Sequence, residues 1–430
     1  MRSPITTARS LADYEAVTPD DQMAALYSTA DDLGDVRVLH LNSTATGGGV
    51  AEILHSLVPL SNDLGIDTDW QVMDAEESFF EVTKAMHNAL QGQDVTFTEE
   101  MEATYRRVTE RNATALDGQY DVVVLHDPQT LGMARELKDR FPDTRIVWRC
   151  HIDLTDANER YLQAVVDDVR RVDHAVFSRP EYGRGVDVPT SIIHPSIDPL
   201  TDKNRPLDRE ELAVERDRLF PIEFGDDSPV ITQVSRFDPW KDQFGTIEMY
   251  RRIKDAVPGA QLVLAGGMAD DDPEGREVYE EVVAATADDP DVHLLTNQPD
   301  TTIDFLQRES AVVVQKSLRE GFGLVVSEAL WKRTPVIGST VGGIPLQIED
   351  GKNGYLVDPD DVDGAAARLE RLLADDDLRR QLGERGRETV RERFLLPRHL
   401  LDYTELFLGV RDGANDPNEP RASRTDADRS

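Results

Sequence analysis

Short apolar runs alternate with longer amphipathic segments along most of the chain. In the first half, apolar runs of strand length begin near residues 35, 69, 120, 145, 174 and 191, and segments with apolar residues at helical spacing separate them. The second half repeats this alternation, with apolar runs near residues 229, 261, 292, 311 and 335. Apolar strands separated by helices predict parallel sheets with helices on both faces. We therefore expect an α/β protein with two doubly wound, Rossmann-like sheets.

A charged segment with two prolines, residues 201–228, interrupts the alternation and predicts a linker between the two sheets. The chain has 430 residues, which is too long for one ordinary domain. A first domain is expected over residues 1–200 and a second over residues 229–395. An apolar helix is predicted at residues 396–410, and the polar residues 411–430 are predicted to be a disordered tail.

The chain is strongly acidic, with 83 acidic against 47 basic residues and a net charge of −36. This charge argues against nucleic acid and anionic membranes as partners. Only 8 of the basic residues are Lys. An acidic surface poor in Lys is typical of proteins from a salt-rich cytoplasm, where ions screen the self-repulsion. The composition therefore predicts a halophile-type protein. We attribute the acidity to the environment of the protein and not to its function.

The chain has one cysteine, Cys150, so no disulfide framework and no cysteine-based zinc site is expected. Its first ten residues lack the apolar core of a signal peptide. No run reaches the roughly 18 apolar residues that a membrane-spanning helix needs. We expect a soluble cytoplasmic protein.

Two carboxylates flank a glycine-bearing loop in the second half, in the segment Glu320-Gly-Phe-Gly-Leu-Val-Val-Ser-Glu328. An apolar strand precedes it, so the segment predicts a strand, a loop and a helix, with Glu328 about one turn into the helix. Helix N-termini attract phosphate, and carboxylates accept paired hydrogen bonds from sugar hydroxyls. The spacing of the two carboxylates predicts a ligand that has both phosphate and sugar hydroxyls. A solvated helix start explains the same spacing equally well.

Two basic residues, Arg236 and Lys241, follow the apolar strand that begins near residue 229. A guanidinium fork and an ammonium aimed at one place suit a diphosphate. Ligands of such sheets bind at the carboxyl ends of the strands. A surface ion pair is the alternative, but the scarcity of Lys in this chain favours the diphosphate.

Three contiguous glycines, Gly47, Gly48 and Gly49, stand between the first predicted strand and a helix. A glycine loop at this place lets the backbone approach a phosphate or a sugar. The spacing is neither that of the dinucleotide fingerprint nor that of a P-loop. A tight turn that needs a positive φ explains one glycine more easily than three.

Polar residues follow two further strands of the first half. His126, Asp127 and Gln129 come after one strand, and His151 and Asp153 after another. The carboxyl ends of parallel strands lie at one sheet edge, so these side chains are expected to gather there. The alternative is that each His has an ordinary structural role.

These motifs resemble the donor site of retaining nucleotide-sugar glycosyltransferases with the GT-B fold. Residues 41–60, 81–92, 126–129 and 149–153 are similar to the trehalose glycosyltransferring synthase family, and the similarity extends from about residue 11 to about residue 410. The carboxylate motif is shared by a large superfamily, whereas the segments of the first half are far more specific.

The resemblance implies two Rossmann-like domains that face a cleft, with the helix at 396–410 returning to the first domain. It implies transfer of glucose from an NDP-glucose to free glucose, giving trehalose, and the reverse reaction. The implied mechanism is front-face and retaining, with the nucleotide sugar as co-substrate and neither a metal nor another cofactor. The expected partners are NDP-glucose, glucose and trehalose, and a homodimer is compatible with the sequence.

The resemblance also implies residue roles. Arg236 and Lys241 hold the diphosphate, Glu328 takes the ribose hydroxyls, and Glu320 positions the hexose. The implied catalytic residues are His151, Glu320, Arg236 and Lys241. The implied donor-binding residues are Arg236, Lys241, Asn297, Glu320, Gly321, Phe322, Gly323, Leu324 and Glu328. The acceptor is expected against Gly47, Gly48, Gly49, His126, Asp127, Gln129 and Asp153.

Three other functions fit the same motifs. A retaining trehalose phosphorylase shares much of the site, but it has no ribose for Glu328 to hold. A transferase with another acceptor, such as a sugar phosphate, would need extra basic residues near Gly47 to Gly49, where only Arg37 and Lys84 occur nearby in sequence. A non-catalytic nucleotide-sugar-binding protein on this fold could lose His151 or Lys241, and both are present. The base of the donor and the direction of the reaction are open.

Overall fold

The computed structural model describes residues 1–4, 6, 8–46, 49–155, 157–183, 185–225, 227–267 and 273–413. The chain forms two compact units. The first contains Asp20–His194, the N-terminal segment Met1–Glu15 and the described chain from His399 onward, and the second contains Pro195–Arg398 and Ala16–Pro19. Of the predicted tail, residues 414–430 lie outside the described residues, whereas Arg411 is the last residue of a helix, Leu396–Arg411.

The first unit contains a parallel sheet with the strand order β2-β1-β3-β4-β5-β6. The chain order reverses between β1 and β3, because β2 lies on one side of β1 and all later strands lie on the other. Such a reversal opens a crevice at the carboxyl ends of the two strands. The strands are β1 (Arg37–Asn42), β2 (Asp67–Val72), β3 (Val122–His126), β4 (Arg145–Arg149), β5 (His174–Phe177) and β6 (Thr190–Ile192).

Helices cover this sheet and bury a core that includes Phe79, Tyr105, Trp148 and Tyr161. Burial of each such side chain stabilises the unit by about 1.5–3 kcal/mol. The helices are α1 (Asp20–Leu33), α2 (Gly49–Asp63), α3 (Glu77–Leu90), α4 (Glu99–Thr114), α5 (Asp127–Leu131), α6 (Ala134–Arg140) and α7 (Glu159–Val169), with short 3₁₀ helices at Leu11–Tyr14 and Pro180–Gly183.

The second unit contains a parallel sheet with the order β9-β8-β7-β10-β11-β12, and its chain order reverses between β7 and β10. The strands are β7 (Val230–Val234), β8 (Gln261–Gly266), β9 (Val292–Thr296), β10 (Val312–Gln315), β11 (Val336–Ser339) and β12 (Tyr355–Val357). The helices are α8 (Arg209–Arg218), α9 (Gln243–Ile253), α10 (Pro273–Thr286), α11 (Asp300–Glu309), α12 (Leu324–Trp331), α13 (Ile344–Gln347), α14 (Val362–Ala374) and α15 (Asp376–Arg393), with a 3₁₀ helix at Pro239–Lys241. The last helix, α16 (Leu396–Arg411), begins in the second unit and belongs to the first unit from His399 onward.

The predicted fold class is confirmed, since both sheets are parallel and have helices between their strands. His126 is the last residue of β3, and Asp127, Pro128 and Gln129 form the start of α5. Asp127 turns the chain with a φ of 62°, and Pro128 fits the first turn of a helix.

Cys150 directly follows β4 and is fully buried. Burial raises the pKa of its thiol well above the usual range. In the part of the chain that the structure describes, no helix is long and apolar enough to cross a membrane.

Candidate active site

Two loops meet where the chain order of the second sheet reverses. One loop follows β7 and contains Arg236 and Lys241, and the other follows β10 and contains Glu320. The backbone N–H of Leu318 donates to the carbonyl of Trp240 at 2.8 Å, which ties the two loops together. The strand order therefore joins residues that stand about eighty positions apart in sequence.

Lys241 and Glu320 form an ion pair at this point, with Nζ and Oε2 separated by 2.7 Å. The same carboxylate oxygen accepts from Gln315 Nε2 at 3.1 Å and from Ser317 Oγ at 3.2 Å. Both partners of the pair are largely buried. Three donors on one oxygen fix the Glu320 side chain and leave Oε1 with acceptor capacity for a ligand.

The backbone holds Lys241 in a defined conformation. The carbonyl of Lys241 accepts from Gln233 Nε2 at 2.7 Å. The next residue, Asp242, has a φ of 52°, and its Oδ1 caps α9 at the N–H of Gly245, 3.0 Å away. Its Oδ2 forms an ion pair with the buried Lys316. Hydrogen bonds and an ion pair thus fix the backbone at Lys241 and the side chain of Asp242.

Arg236 is placed differently. Its guanidinium lies 3.3 Å from Asp238 and is 66% exposed. Among the described residues, the structure gives the Arg236 side chain no hydrogen bond or ion pair with Lys241 or Glu320, although Arg236 lies in the same loop as Lys241.

Glu328 lies on α12, which begins after Gly323. Gly323 has a φ of 79°, a conformation that few residues other than Gly adopt. The Glu328 carboxylate is buried, with Oε2 accepting from Gln307 Nε2 at 3.1 Å and Oε1 lying 3.7 Å from Lys203 Nζ. Glu320 stands in the loop and Glu328 one turn into the helix, as the spacing predicted.

The other predicted donor residues belong to this loop or to the start of α12, whereas Asn297 follows a different strand. Gly321 accepts at its carbonyl from the N–H of Gly343 at 2.8 Å, Phe322 is buried, and Leu324 begins α12. Asn297 follows β9, which is two strands away from β7 in the sheet. It has a φ of 51°, and its Oδ1 would lie 3.9 Å from a Cβ atom placed on Gly267.

A second glycine loop, after β11, packs against the loop that contains Glu320, and the sequence did not predict this contact. A Cβ atom at Gly342 would lie 1.8 Å from the carbonyl oxygen of Glu320, and one at Gly343 would lie 2.7 Å from the Cα of Phe322. The two loops can pack this closely only because both positions lack a side chain.

In the first unit, three histidines form a chain of ring hydrogen bonds at the carboxyl ends of neighbouring strands. His40 Nδ1 lies 2.9 Å from His126 Nε2, and His126 Nδ1 lies 3.1 Å from His151 Nε2. His40 lies in β1, His126 ends β3, and His151 follows β4. The sequence predicted that His126 and His151 would gather here, but it gave no signal for His40, which stands inside an apolar strand.

These three histidines are neutral at ordinary pH. Desolvation lowers the pKa of His40 to about 3. Desolvation is also the main cause that lowers the pKa of His126 and of His151, and the nearby Arg149 cation adds to it. A neutral imidazole has one N–H, so His126 donates to one neighbour and accepts from the other. The tautomer of His151 is therefore coupled to that of His40.

Asp127 supports His151 from its other side, since its Oδ1 accepts from the backbone N–H of His151 at 2.7 Å. Desolvation raises the pKa of Asp127 to about 6, and the hydrogen bond from His151 and the charge of Arg149 oppose the shift.

The sequence also missed Arg149, which is fully buried and donates to the carbonyl of Ile193 at 2.8 Å. Its Nε and Nη1 have no hydrogen-bond partner within the described residues.

Of the remaining predicted acceptor residues, Gln129, Asp153 and Gly49 are described by the structure, and Gly47 and Gly48 are not. Gln129 is in α5, and its Oε1 is buried without a partner in the described residues. Asp153 accepts from the N–H of Thr155 at 2.8 Å and so caps a local turn. Gly49 begins α2, and Gly47 and Gly48 lie outside the described residues.

Comparisons with known proteins agree with this geometry. Residues 40–184 match the family model "Trehalose synthase, N-terminal domain", and residues 215–389 match "Glycosyl transferases group 1". The trehalose synthase of Rubrobacter xylanophilus is 44% identical over 94% of this chain and 98% of its own length. That of Thermococcus litoralis is 41% identical over 93% and 97%.

Solved structures with low sequence identity have the same fold. A trehalose-6-phosphate structure from E. coli with UDP-2-fluoro glucose bound gives a TM-score of 0.69 at 16% identity and covers 86% of this chain and 98% of its own. This similarity confirms the GT-B fold. Together with the family matches, it establishes that the chain belongs to the trehalose synthase family and is a trehalose-related glycosyltransferase.

Proposed function

We propose that the protein is a retaining glycosyltransferase that moves glucose from an NDP-glucose to free glucose, giving trehalose, and that it catalyses the reverse transfer. The observation that carries this proposal is the Lys241–Glu320 ion pair at the reversal point of the second sheet, with Glu328 on the helix that begins in the same loop. One cation and two carboxylates at this place suit a ligand with a diphosphate, a hexose and a ribose.

In the proposed reaction, the bond between the anomeric carbon and the diphosphate breaks first. Lys241 and the N-terminus of α12 stabilise the negative charge on the departing diphosphate. Arg236, which is exposed, turns from Asp238 to the phosphates. Glu320 holds Lys241 in place and accepts hydrogen bonds from the hexose, and Glu328 accepts them from the ribose.

The acceptor hydroxyl then attacks the anomeric carbon on the face from which the diphosphate leaves. Its proton passes to the departing phosphate oxygen, and the new C–O bond has the original configuration. In this scheme, neutral His151 contacts the hexose near the reacting carbon. Asp127 and His126 orient His151 through their hydrogen bonds to it. The protein cations supply the charge stabilisation in this scheme, so no metal is required.

A product assay tests the proposal. The protein is incubated in molar KCl with glucose and either ADP-glucose or UDP-glucose, with and without EDTA, and the sugars are separated by chromatography. We expect α,α-trehalose and an equal amount of nucleoside diphosphate, with no effect of EDTA. The preferred donor identifies the base. Inversion of configuration, or loss of activity on chelation, would contradict the mechanism.

The same assay tests the phosphorylase alternative, with trehalose and inorganic phosphate as substrates. Formation of glucose 1-phosphate, without trehalose from either nucleotide sugar, would replace the proposed function by a phosphorylase. The buried Glu328 favours the transferase, because a phosphorylase has no ribose for this carboxylate to hold.

A further inference from the structure

Lys332, which directly follows α12, is a lysine whose side chain is fully buried. Such burial is rare unless the ammonium is paired. Four acceptors surround its Nζ: Gln307 Oε1 at 2.8 Å, Asn204 Oδ1 at 2.9 Å, the carbonyl of Glu328 at 3.3 Å and Asp304 Oδ1 at 3.4 Å. The structure therefore holds a charged group in the interior, directly behind the predicted ribose-binding residue.

The chemistry of Lys332 determines how the Gln307 amide points. An ammonium can only donate, so the Gln307 atom that faces it must be the carbonyl oxygen. The amide nitrogen then faces the other way, where it donates to Glu328 Oε2 at 3.1 Å. The flipped amide would place N–H groups against the ammonium and an oxygen against the carboxylate, and both contacts would be repulsive. Gln307 is fully buried, so water cannot relieve that repulsion.

Asp304 supports the same arrangement from α11. It forms an ion pair with Lys332 and another with Arg308 at 3.0 Å, and both Asp304 and Gln307 lie on this helix. Glu328 and Lys332 are four residues apart, so they lie on one face of α12 and its C-terminal turn. The network joins two helices and ends at the carboxylate of Glu328.

We propose that Lys332 is a positioning residue for Glu328: through the fixed amide of Gln307 it orients the carboxylate so that the carboxylate's remaining lone pairs receive the ribose hydroxyls of the donor nucleotide. This inference rests on the proposed function, in which Glu328 holds the ribose. Desolvation lowers the pKa of Lys332 to about 8, while Glu328 and Asp304 oppose the shift, so the ammonium form predominates below that pH.

The test is the discrimination between ribose and deoxyribose. Dissociation constants of ADP and of 2′-deoxy-ADP, or of the UDP pair if the protein prefers UDP, are measured at pH 7 by isothermal titration calorimetry. One fully used hydrogen bond to a charged group contributes about tenfold, so we expect the wild type to bind the ribonucleotide about tenfold more tightly or better. In K332M we expect that ratio to fall to about 1–3, with weaker binding of the ribonucleotide and little change for the deoxynucleotide.

Two further variants separate positioning from general destabilisation. Q307E keeps an acceptor for Lys332 but replaces the donor that faces Glu328, so it should lose the discrimination even if K332M fails to fold. T334V is the matched control. Thr334 Oγ1 is buried and donates to the backbone carbonyl of Gln307 at 2.6 Å, without touching the amide. T334V should lower the melting temperature and keep the wild-type ratio.

A wild-type ratio in K332M or Q307E would overturn the inference. A wild type that makes trehalose from NDP-glucose but binds both nucleotides equally would overturn it as well, while leaving the proposed reaction intact. A wild type that discriminates for the ribose but makes no trehalose would contradict the proposed reaction and leave the positioning role standing.

Discussion

At the scale of single residues, the site depends on charges that the fold holds away from water. Lys241 and Glu320 neutralise each other at 2.7 Å, and Gln315 and Ser317 add two hydrogen bonds to the same carboxylate. Removal of one partner from such a cluster leaves the other charge buried without compensation, which costs more than the pair contributes. Substitutions here should therefore affect catalysis and stability together, and controls must separate the two.

Lys241→Met should lower kcat/KM for the nucleotide sugar by about 100-fold or more, because the departing diphosphate loses its ammonium partner. Steady-state kinetics with both substrates varied measures the effect. Lys254→Met is the matched control: Lys254 also binds carboxylates, Asp289 and Asp291, but it lies at the far end of α9. Equal losses in both variants would mean that Lys241 acts only through stability.

Asp127→Asn should make the protein more stable at neutral pH. Burial raises the pKa of Asp127 to about 6, so the native state binds more protons than the unfolded state between about pH 4 and 6, and stability falls as the pH rises through this range. Asn accepts the same hydrogen bond from His151, tolerates the positive φ and has no charge to desolvate. We expect a gain of about 1–3 kcal/mol at pH 7.5.

Melting temperatures of wild type and D127N from pH 4 to 8 test this expectation. The two curves should converge near pH 4 and separate as the pH rises. Parallel curves over the whole range would show that Asp127 titrates normally.

At the scale of elements, the site is a product of strand order. The pattern of the sequence predicted the strands, the glycine loop and the position of Glu328 on a helix, since these follow from local periodicity and loop residues. It could not predict that the loops after β7 and β10 are tied together at Trp240 and Leu318, because that contact requires β10 to pair with β7. The same limit applies to His40, whose role depends on β1 lying beside β3.

The loop after β11 is an element whose function the sequence did not reveal. Gly342→Ala should displace the backbone of Glu320, because the added Cβ would lie 1.8 Å from its carbonyl oxygen. The expected result is a loss of trehalose formation of at least about tenfold, together with a lower melting temperature.

Gly351→Ala controls for backbone strain alone. Gly351 also has a positive φ, 75°, but a Cβ there would meet nothing within 4 Å. This variant should lose about 1 kcal/mol of stability and keep its activity. Equal inactivation of the two variants would contradict a specific contact between the glycine loop and Glu320.

At the scale of the whole molecule, charge is the dominant feature. A net charge of −36 gives a compact chain strong self-repulsion. Salt shortens the screening length from roughly 10 Å at 0.1 M to roughly 3 Å at 1 M. We propose that this surface is adapted to a salt-rich interior, where ions screen the self-repulsion.

The melting temperature should therefore rise by several degrees between 0.05 and 2 M KCl, and the rate of trehalose formation should rise with it. Sucrose at equal osmolality is the control, because it stabilises by exclusion from the surface without screening charge. If sucrose matched KCl, or if the protein were fully stable and active at low salt, the halophile interpretation would be wrong.

The buried Cys150 has a practical consequence for labelling. Its thiol is inaccessible, and its raised pKa keeps it from forming the thiolate that reacts with maleimides. Cysteines introduced at exposed positions would thus be the only thiols that a maleimide dye modifies, and Cys150 would not have to be replaced first. One such dye on each compact unit would let single-molecule fluorescence follow the distance between them as NDP-glucose, glucose and trehalose are added in turn.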